Sequence, residues 1–136
     1  GFDENTMSLS LLRATIRPDV TSDMGHHNFS YMIYPHENGA VEAGVNKLAF
    51  QFNEQLVKSD VSYNGDTFEP LYLQAMKDSE DGSMTVIRLS EQDGKRGKIK
   101  LSKSVKLLDM LENVIGEAVD TLEYKPFEII TIGIQK

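Results

Sequence analysis

Side chains that could bind a metal ion or transfer protons are concentrated near the start of this 136-residue chain. Asp23, His26 and His27 lie within five consecutive residues, and His36, the last histidine, follows nine residues after His27. Carboxylate and imidazole groups are ordinary zinc ligands. If residues 27–35 form a strand, which rises about 3.3 Å per residue, His36 lies about 30 Å from His27, and only the first three groups could share an ion. Hydrogen bonding of Asp23 and His27 within a loop explains the same residues, and we predict no metal site in this chain.

Other residue types that support catalysis or binding lack a specific arrangement. Carboxylates paired about 5–9 Å apart are typical of glycosidases, but the acidic residues here cluster in turn sequences such as 78–81, where exposure to solvent explains them. The run Gly94–Lys98 fits either a phosphate-binding segment or an exposed hairpin tip. Aromatic rings stack on the apolar faces of sugars and also fill cores, and both roles are open for Tyr31, Tyr34, Tyr63, Tyr72 and Tyr124. We therefore assign no catalytic residue.

The composition excludes several classes of protein. There are 21 acidic and 14 basic residues, a net charge of −7 and a pI near 4.9, which disfavours nucleic-acid binding because that requires a clustered basic surface. Cysteine is absent, so the chain has no disulfide and no thiol nucleophile. No phosphate-binding loop or serine nucleophile motif occurs. No apolar run approaches the roughly 20 residues of a membrane span and no signal peptide is visible, so we expect a cytoplasmic bacterial protein without nucleic-acid or membrane partners.

The candidate residues near the N-terminus are expected to lie in a long loop between two strands. Period-two alternation predicts strands at Met7–Leu12 and 27–35. The polar loop between them is about twelve residues long, a length that is uncommon in compact domains and often functional. Apolar residues then recur at spacings of three and four, which predicts one amphipathic helix at about 41–55 with Gly44 in its interior.

The second half of the chain has the pattern of an all-β domain. Turn signals separate short alternating segments, which predicts strands near 71–76, 84–89, 98–102, 105–111, 119–122 and 127–134. This spacing is typical of an antiparallel β-sandwich. We divide the chain into residues 1–56, a polar connector at 57–70 and a small C-terminal β-sandwich at 71–136.

Three motifs follow one another along the chain. The first is LSLLRA at 9–14, followed by Pro18-Asp19, Asp23, Gly25, His27, Phe29, Tyr31 and the Tyr34-Pro35-His36 triplet. The second is MKDSEDGSMTVIRLSEQDGKRG at 76–97, and the third is KPFEI at 125–129. In this order they resemble the C-terminal region of the α-mannosidases of glycoside hydrolase family 38, especially its microbial branch. Thr15 stands where the family usually has proline, and residues 57–70 match poorly.

The resemblance implies a part of an enzyme that does no bond chemistry itself. Family members are retaining α-mannosidases whose N-terminal domain carries the nucleophilic Asp and a zinc ion held by Asp and His, and none of those motifs occurs here. The implied role is that of a non-catalytic C-terminal β region, without a cofactor of its own, that shapes the active-site cleft. Residues 1–56 would end a larger, galactose-mutarotase-like sandwich, and Arg13, Asp23 and His27 would face the cleft or the docked catalytic domain.

The same resemblance sets expectations for partners. The family carries a G-[FY]-D segment inside its polypeptide, so the GFD at 1–3 predicts that this chain is a piece of a longer protein. The expected partners are the catalytic domain and, through it, an α-mannoside; without that domain, the exposed docking face would favour self-association. The alternative is a free-standing carbohydrate-binding or protein-interaction β-sandwich that shares the motifs.

Overall fold

A computed structural model describes residues 2–3, 5–13, 17–54 and 60–136 of the chain. Backbone contacts divide it into two compact units, residues 1–35 and residues 36–136. The first unit contains a two-stranded antiparallel pair, β1 (Phe2–Asp3) with β2 (Thr6–Met7). The second unit contains one helix, α1 (Val45–Asn53), followed by a β-sheet.

Five antiparallel strands form the sheet of the second unit. They are β3 (Tyr72–Asp78), β4 (Met84–Ser90), β5 (Gly97–Leu108), β6 (Val119–Tyr124) and β7 (Ile129–Gln135). Their spatial order is β3-β4-β7-β5-β6, so the last strand in sequence lies between β4 and β5. The central strands β4 and β7 are the most buried, in agreement with their runs of apolar residues.

One apolar core joins the two ends of this sheet. Ile87 pairs with Ile132 and Leu89 pairs with Ile130 across β4 and β7, and these side chains are between 0% and 8% exposed. They pack in one cluster with residues of β5 and β6, namely Leu101, Val105, Leu122 and Tyr124. Strand β5 pairs with both neighbours: residues 97–100 and Val105 pair with β6, with a register shift between them, and residues 106–108 pair with β7.

The opposite face of β4 is held by the loop that follows β5. Arg88 donates from Nη2 to the carbonyl oxygen of Met110 at 3.4 Å, and Lys77 forms an ion pair with Glu112 at 2.7 Å. Beside them Met84 and Val86 are buried. The Met84 sulfur packs against Gly133, where a side chain would not fit, because a Cβ on residue 133 would lie 2.9 Å from the sulfur. Both faces of the central strands are therefore covered.

The structure confirms the predicted all-β antiparallel class with one helix, and it corrects several details. Among the described residues, Leu9–Leu12 and residues 27–35 form no strand, since neither segment has a hydrogen-bonded ladder. The strands predicted separately near 98–102 and 105–111 are the single strand β5. The domain boundaries at 56 and 70 stay predictions, and residues 55–59 lie outside the described part of the chain.

The helix is shorter than the predicted 41–55 because Gly44 ends the preceding turn. Gly44 adopts a left-handed conformation (φ 69°, ψ 26°) as the N-cap of α1, with no atom within 4 Å of the position of a Cβ. The predicted position of Gly44 in the interior of the helix was therefore wrong. A turn that Val41, Ala43 and Gly44 close by backbone hydrogen bonds precedes the helix instead.

Replacing Gly44 with alanine should lower the free energy of unfolding by about 1 kcal/mol, because an L-residue is strained at positive φ. If Gly44 lay in the interior of the helix, the same substitution would instead raise the free energy of unfolding by up to about 1 kcal/mol. Urea unfolding followed by circular dichroism measures the difference. Ala49→Gly, inside the same helix, is the matched control and should itself cost about 1 kcal/mol; a stabilised Gly44→Ala variant would contradict the assigned conformation.

Candidate functional site

The polar loop of the first unit is organised by Asp19. Its carboxylate accepts hydrogen bonds from the backbone N–H and the hydroxyl of Thr21 at 2.8 and 2.7 Å. The Ser22 hydroxyl donates to the Asp19 carbonyl oxygen at 3.1 Å. The backbone N–H of Thr21, followed by the Thr21 hydroxyl, lowers the pKa of Asp19 below its ordinary value. This short side-chain turn positions the residues that follow it.

The predicted site residues are only partly brought together. A ring nitrogen of His27 (Nε2) lies 3.0 Å from the carbonyl oxygen of Asp23, and the same ring stacks near Phe29 at a centroid distance of 6.1 Å. The Asp23 side chain is half-buried, whereas His26 and His27 are exposed. Arg13 is exposed and makes no hydrogen bond or ion pair with the described residues. The interpretation of Asp23 and His27 as a loop-bonding pair therefore has a geometric basis, and Arg13 stands apart.

The donor set of the described residues does not fit a metal centre. Within residues 2–3, 5–13, 17–54 and 60–136, no three His, Asp or Glu side chains converge on a point where an ion could bind. His36 belongs to the second unit, where Nδ1 lies 2.6 Å from the carbonyl oxygen of Asn38. In the same described part, no helix is long and apolar enough to cross a bilayer.

An apolar cleft lies in the first unit. It encloses about 590 Å³, and six apolar side chains line it, Met7, Leu9, Leu11, Tyr31, Met32 and Ile33. Each of these side chains is between 44% and 66% exposed. Such exposure of contiguous apolar side chains is typical of a surface that another element covers.

Sequence reasoning missed the most distinctive carboxylate of the chain, that of Glu91. Its side chain is 4% exposed and accepts hydrogen bonds from four backbone N–H groups at 2.8–3.0 Å, those of Asp93, Gly94, Lys95 and Phe127. The first three belong to the turn after β4, and the fourth belongs to the turn before β7. One charged group thus ties together two turns that are 36 residues apart in sequence.

The charge state of Glu91 follows from two opposed effects. Burial alone would raise the pKa of this carboxyl, but the backbone N–H groups of Phe127, Lys95, Asp93 and Gly94 together hold the pKa below its usual value. The group is consequently an anion at neutral pH. In the sequence, Glu91 and Phe127 are marked only as members of two of the motifs quoted above, and no local feature indicated that they contact each other.

Glu91 supports a strained aromatic residue at the surface. Phe127 has φ 59°, a conformation that is costly for a bulky side chain, and its ring is 74% exposed. Its N–H is the one that donates to Glu91 at 2.8 Å, and Glu128 accepts from Lys125 N–H in the same turn. The turn therefore presents Phe127 to solvent at a defined position.

The basic run Gly94–Lys98 forms the connection around Glu91. Asp93-Gly94 does not close a hairpin, because β4 pairs with β3 and β7 and not with β5. Lys98 forms an exposed ion pair with Glu123 across β5 and β6. Backbone amides of the run are used by Glu91, and the run is best explained as structural.

The tyrosines of the second unit have different surroundings and form no single platform. Tyr124 is buried in the core, and Tyr63 stacks on Phe68 at 5.7 Å. Tyr72 instead lies in a cleft beside α1, where its ring contacts Phe50 at 5.3 Å. The structure thus leaves Tyr72 in a position to meet a ligand.

Asp81 in the turn between β3 and β4 offers a direct test of the geometry. Its carboxylate accepts from the Ser79 hydroxyl at 2.7 Å, from the Ser83 N–H at 3.0 Å and from the Ser83 hydroxyl at 2.8 Å, and these bonds lower its pKa from 3.8 to about 2. The carboxyl resonance of Asp81 in NMR should therefore titrate near pH 2. Because the folded pKa is depressed, this turn is stabilised above pH 3.8 and loses that stabilisation as the pH falls towards 2.

The variant Ser79→Ala serves as the comparison for Asp81. It removes the largest contribution to the lowered pKa, so the midpoint of Asp81 should move back towards 3.8. An Asp81 midpoint near 3.8 in the unmodified chain would show that the turn bonds are not formed in solution.

Comparison with known proteins places these features in a family. Residues 70–132 match the family model described as the glycosyl hydrolases family 38 C-terminal beta sandwich domain. Alpha-mannosidase G of Dictyostelium discoideum is 30% identical over 150 residues, which cover 92% of this chain and 14% of that protein. Alpha-mannosidase of Saccharomyces cerevisiae is 31% identical over 150 residues, which cover 93% of this chain and 13% of that protein.

A shorter alignment has higher identity. Alpha-mannosidase 2C1 of Mus musculus is 49% identical over 53 residues, which cover 39% of this chain and 5% of that protein. No solved structure matches the chain significantly. The chain therefore spans about one seventh of the two relatives that align along most of it, and both fit the predicted microbial branch. Residues 70–132 therefore match the C-terminal β-sandwich domain of glycoside hydrolase family 38, and the two long alignments support placing the chain in the C-terminal region of that family's α-mannosidases.

Proposed function

We propose that this chain is a non-catalytic β region of a zinc-dependent retaining α-mannosidase, and that it supports and shapes the active-site cleft. The observation that carries the proposal is the match of residues 70–132 to the family's C-terminal sandwich domain. The names of the relatives supply the reaction class, α-mannoside hydrolysis. The chemistry itself is assigned to a catalytic domain outside these residues.

The side chains of the described residues support that division. They offer no convergent set of three His, Asp or Glu groups for zinc, so we assign the zinc ion to the catalytic domain. Glu91, the one deeply buried carboxylate among the described residues, accepts hydrogen bonds from four backbone amides. A carboxylate held in this way has no free lone pair directed at a substrate and acts as a structural anion.

The first unit is proposed to meet the catalytic domain. Its apolar cleft has the exposed side chains that a docked domain would cover, and the same face would drive self-association if the domain were missing. Arg13, Asp23 and His27 are proposed to lie at this junction or at the cleft. Asp23 and His27 are already joined by the contact of His27 with the Asp23 carbonyl oxygen, while the exposed Arg13 guanidinium is available for a partner.

Mannosidase activity is the test of this proposal. The 136-residue chain and the longer protein that contains it should be assayed with a chromogenic α-mannoside in the presence of zinc. We expect turnover by the longer protein only. Turnover by the chain itself would overturn the proposal and return attention to Asp23, His26 and His27.

The encoding gene gives an independent test. Its reading frame should continue upstream of Gly1 into a domain that carries Asp and His zinc ligands. A frame that begins at this chain would favour the alternative of a free-standing binding module. Cytoplasmic localisation stays a prediction that fractionation of the cell would check.

A further inference from the structure

A second cleft lies within the second unit, between α1 and the edge strand β3. It encloses about 370 Å³, within the range of small-molecule sites, roughly 300–1,000 Å³. Its lining comes from the helix, from the start of β3 and from the turn after β4, and includes Phe50, Tyr72 and Asp93. Strand β3 is the outermost strand of the sheet.

Two aromatic rings form the apolar wall of this cleft. Phe50 of α1 and Tyr72 of β3 contact each other with ring centroids 5.3 Å apart and a 60° angle between the planes. Both side chains are only half-buried. In a tilted pair the edge of one ring meets the face of the other, so the two rings form a wall and not a closed stack.

Polar groups with remaining hydrogen-bonding capacity surround the rings. Asp93 Oδ1 accepts from Asn46 Nδ2 at 2.9 Å and lies 3.5 Å from the Tyr72 hydroxyl, which leaves Oδ2 without a donor among the described residues. On the other side, Lys47 and Glu69 form an exposed ion pair at 2.8 Å. Each of these groups can bind a further partner.

This combination matches the chemistry of a hexose. A pyranose ring has an apolar C–H face, which packs on an aromatic ring, and a rim of hydroxyl groups that both donate and accept. Carboxylate and amide groups satisfy such hydroxyls from the side, while an ion pair at the rim can accept and donate at once. A charged ligand would be disfavoured because carboxylates and an ammonium group face the same space.

We propose that the cleft formed by Phe50, Tyr72, Asp93 and the Lys47–Glu69 pair binds one sugar unit of an α-mannoside oligosaccharide. The cleft supplies the argument for a neutral hexose, and the choice of mannose rests on the proposed function. The site would hold substrate away from the bond that is cleaved, as an accessory sugar-binding site. Its occupant stacks on Tyr72 and donates a hydroxyl hydrogen bond to the Asp93 carboxylate.

The test is an NMR titration of the folded chain with methyl α-mannoside and with an α-linked mannotriose. We expect saturable shifts confined to residues around the cleft. Tyr72→Ala should weaken binding by about tenfold or more, because the stacking surface is lost. Tyr72→Phe should retain most of the affinity, since the ring remains. Phe52→Ala, which removes an exposed aromatic ring of α1 outside the cleft lining, is the matched control and should have no effect.

Asp93→Asn gives a second variant that does not remove packed volume. It keeps the shape of the side chain and should weaken binding because one charged acceptor is lost. Absence of binding by the folded chain, shifts that map elsewhere, or unchanged affinity in both Tyr72→Ala and Asp93→Asn would overturn the proposal. The mannosidase assay of the longer protein reads the proposed function separately, so failure of one can be told from failure of the other.

Discussion

Replacing Glu91 with alanine is expected to lower the free energy of unfolding by about 3–5 kcal/mol, because four backbone N–H groups lose a buried, charged acceptor. Hydrogen bonds to charged groups each contribute about 1.5–3 kcal/mol, and water entering the vacated space would recover part of the loss. The turn around Phe127 should loosen as well, since the Glu91 bond at 2.8 Å holds its strained backbone. Urea unfolding, with the backbone amides monitored by hydrogen exchange, measures both effects.

A neighbouring glutamate provides the control for this substitution. Glu128 also accepts from a backbone N–H, that of Lys125 at 2.8 Å, but the bond is single and exposed. Glu128→Ala should therefore cost less than about 1 kcal/mol. Equal losses in the two variants would show that the fourfold acceptor is not formed.

The decrease in the free energy of unfolding at acidic pH should depend on Glu91. Its folded pKa lies below the ordinary 4.5, so its stabilisation is fully present above 4.5 and is lost as the pH falls through the lower folded value. In Glu91→Gln the group no longer titrates. The stability of that variant should be lower at neutral pH and should fall less steeply below about pH 5.

The second large effect is expected in catalysis, and it rests on the proposed function. In the longer protein, Arg13→Ala should lower kcat/KM for an α-mannoside by about 10²-fold, the scale of loss when a positioning group is removed without touching the reacting bond. Arg13 makes no hydrogen bond or ion pair with the described residues of this chain, so its loss should leave the stability of the chain itself within about 0.5 kcal/mol.

The same loop offers a matched control for Arg13. Arg17 is also an exposed arginine of the first unit, and Arg17→Ala should leave kcat/KM nearly unchanged. Arg13→Lys should restore only part of the activity, because an ammonium group cannot reproduce bidentate guanidinium contacts. Unchanged kinetics in Arg13→Ala would remove Arg13 from the proposed junction.

Local pattern was sufficient for the elements whose burial alternates along the chain. The segments predicted near 84–89 and 119–122 are the strands β4 and β6 to within two residues at either end, because one face or both faces of each strand meet the core. The helix lies within its predicted range. The order of the three motifs also indicated the family that the comparisons support.

Strand pairing, in contrast, depends on contacts far apart in sequence. The sequence allowed a hairpin tip at Gly94–Lys98, yet the strands on either side of it, β4 and β5, do not pair, since β7 lies between them. Alternation of apolar and polar residues indicates which face of a strand is apolar, but it does not indicate which other strand pairs with it. The strands predicted at Met7–Leu12 and 27–35 show the same limit, since an alternating segment becomes a strand only where a partner backbone completes its ladder.

What the sequence determined by itself is therefore the class of fold, the family and the absence of thiol chemistry, all of which are properties of composition, period or ordered motifs. Only the tertiary structure decided the role of Glu91, whose four donors come from two distant turns, and the cleft where Asn46 meets Asp93. A glutamate in a turn sequence is ordinarily exposed to solvent. The residues around Glu91 therefore do not distinguish it from an exposed glutamate. Glu91 can bind both turns because the order of the strands brings the turn before β5 and the turn before β7 to the same end of the sheet.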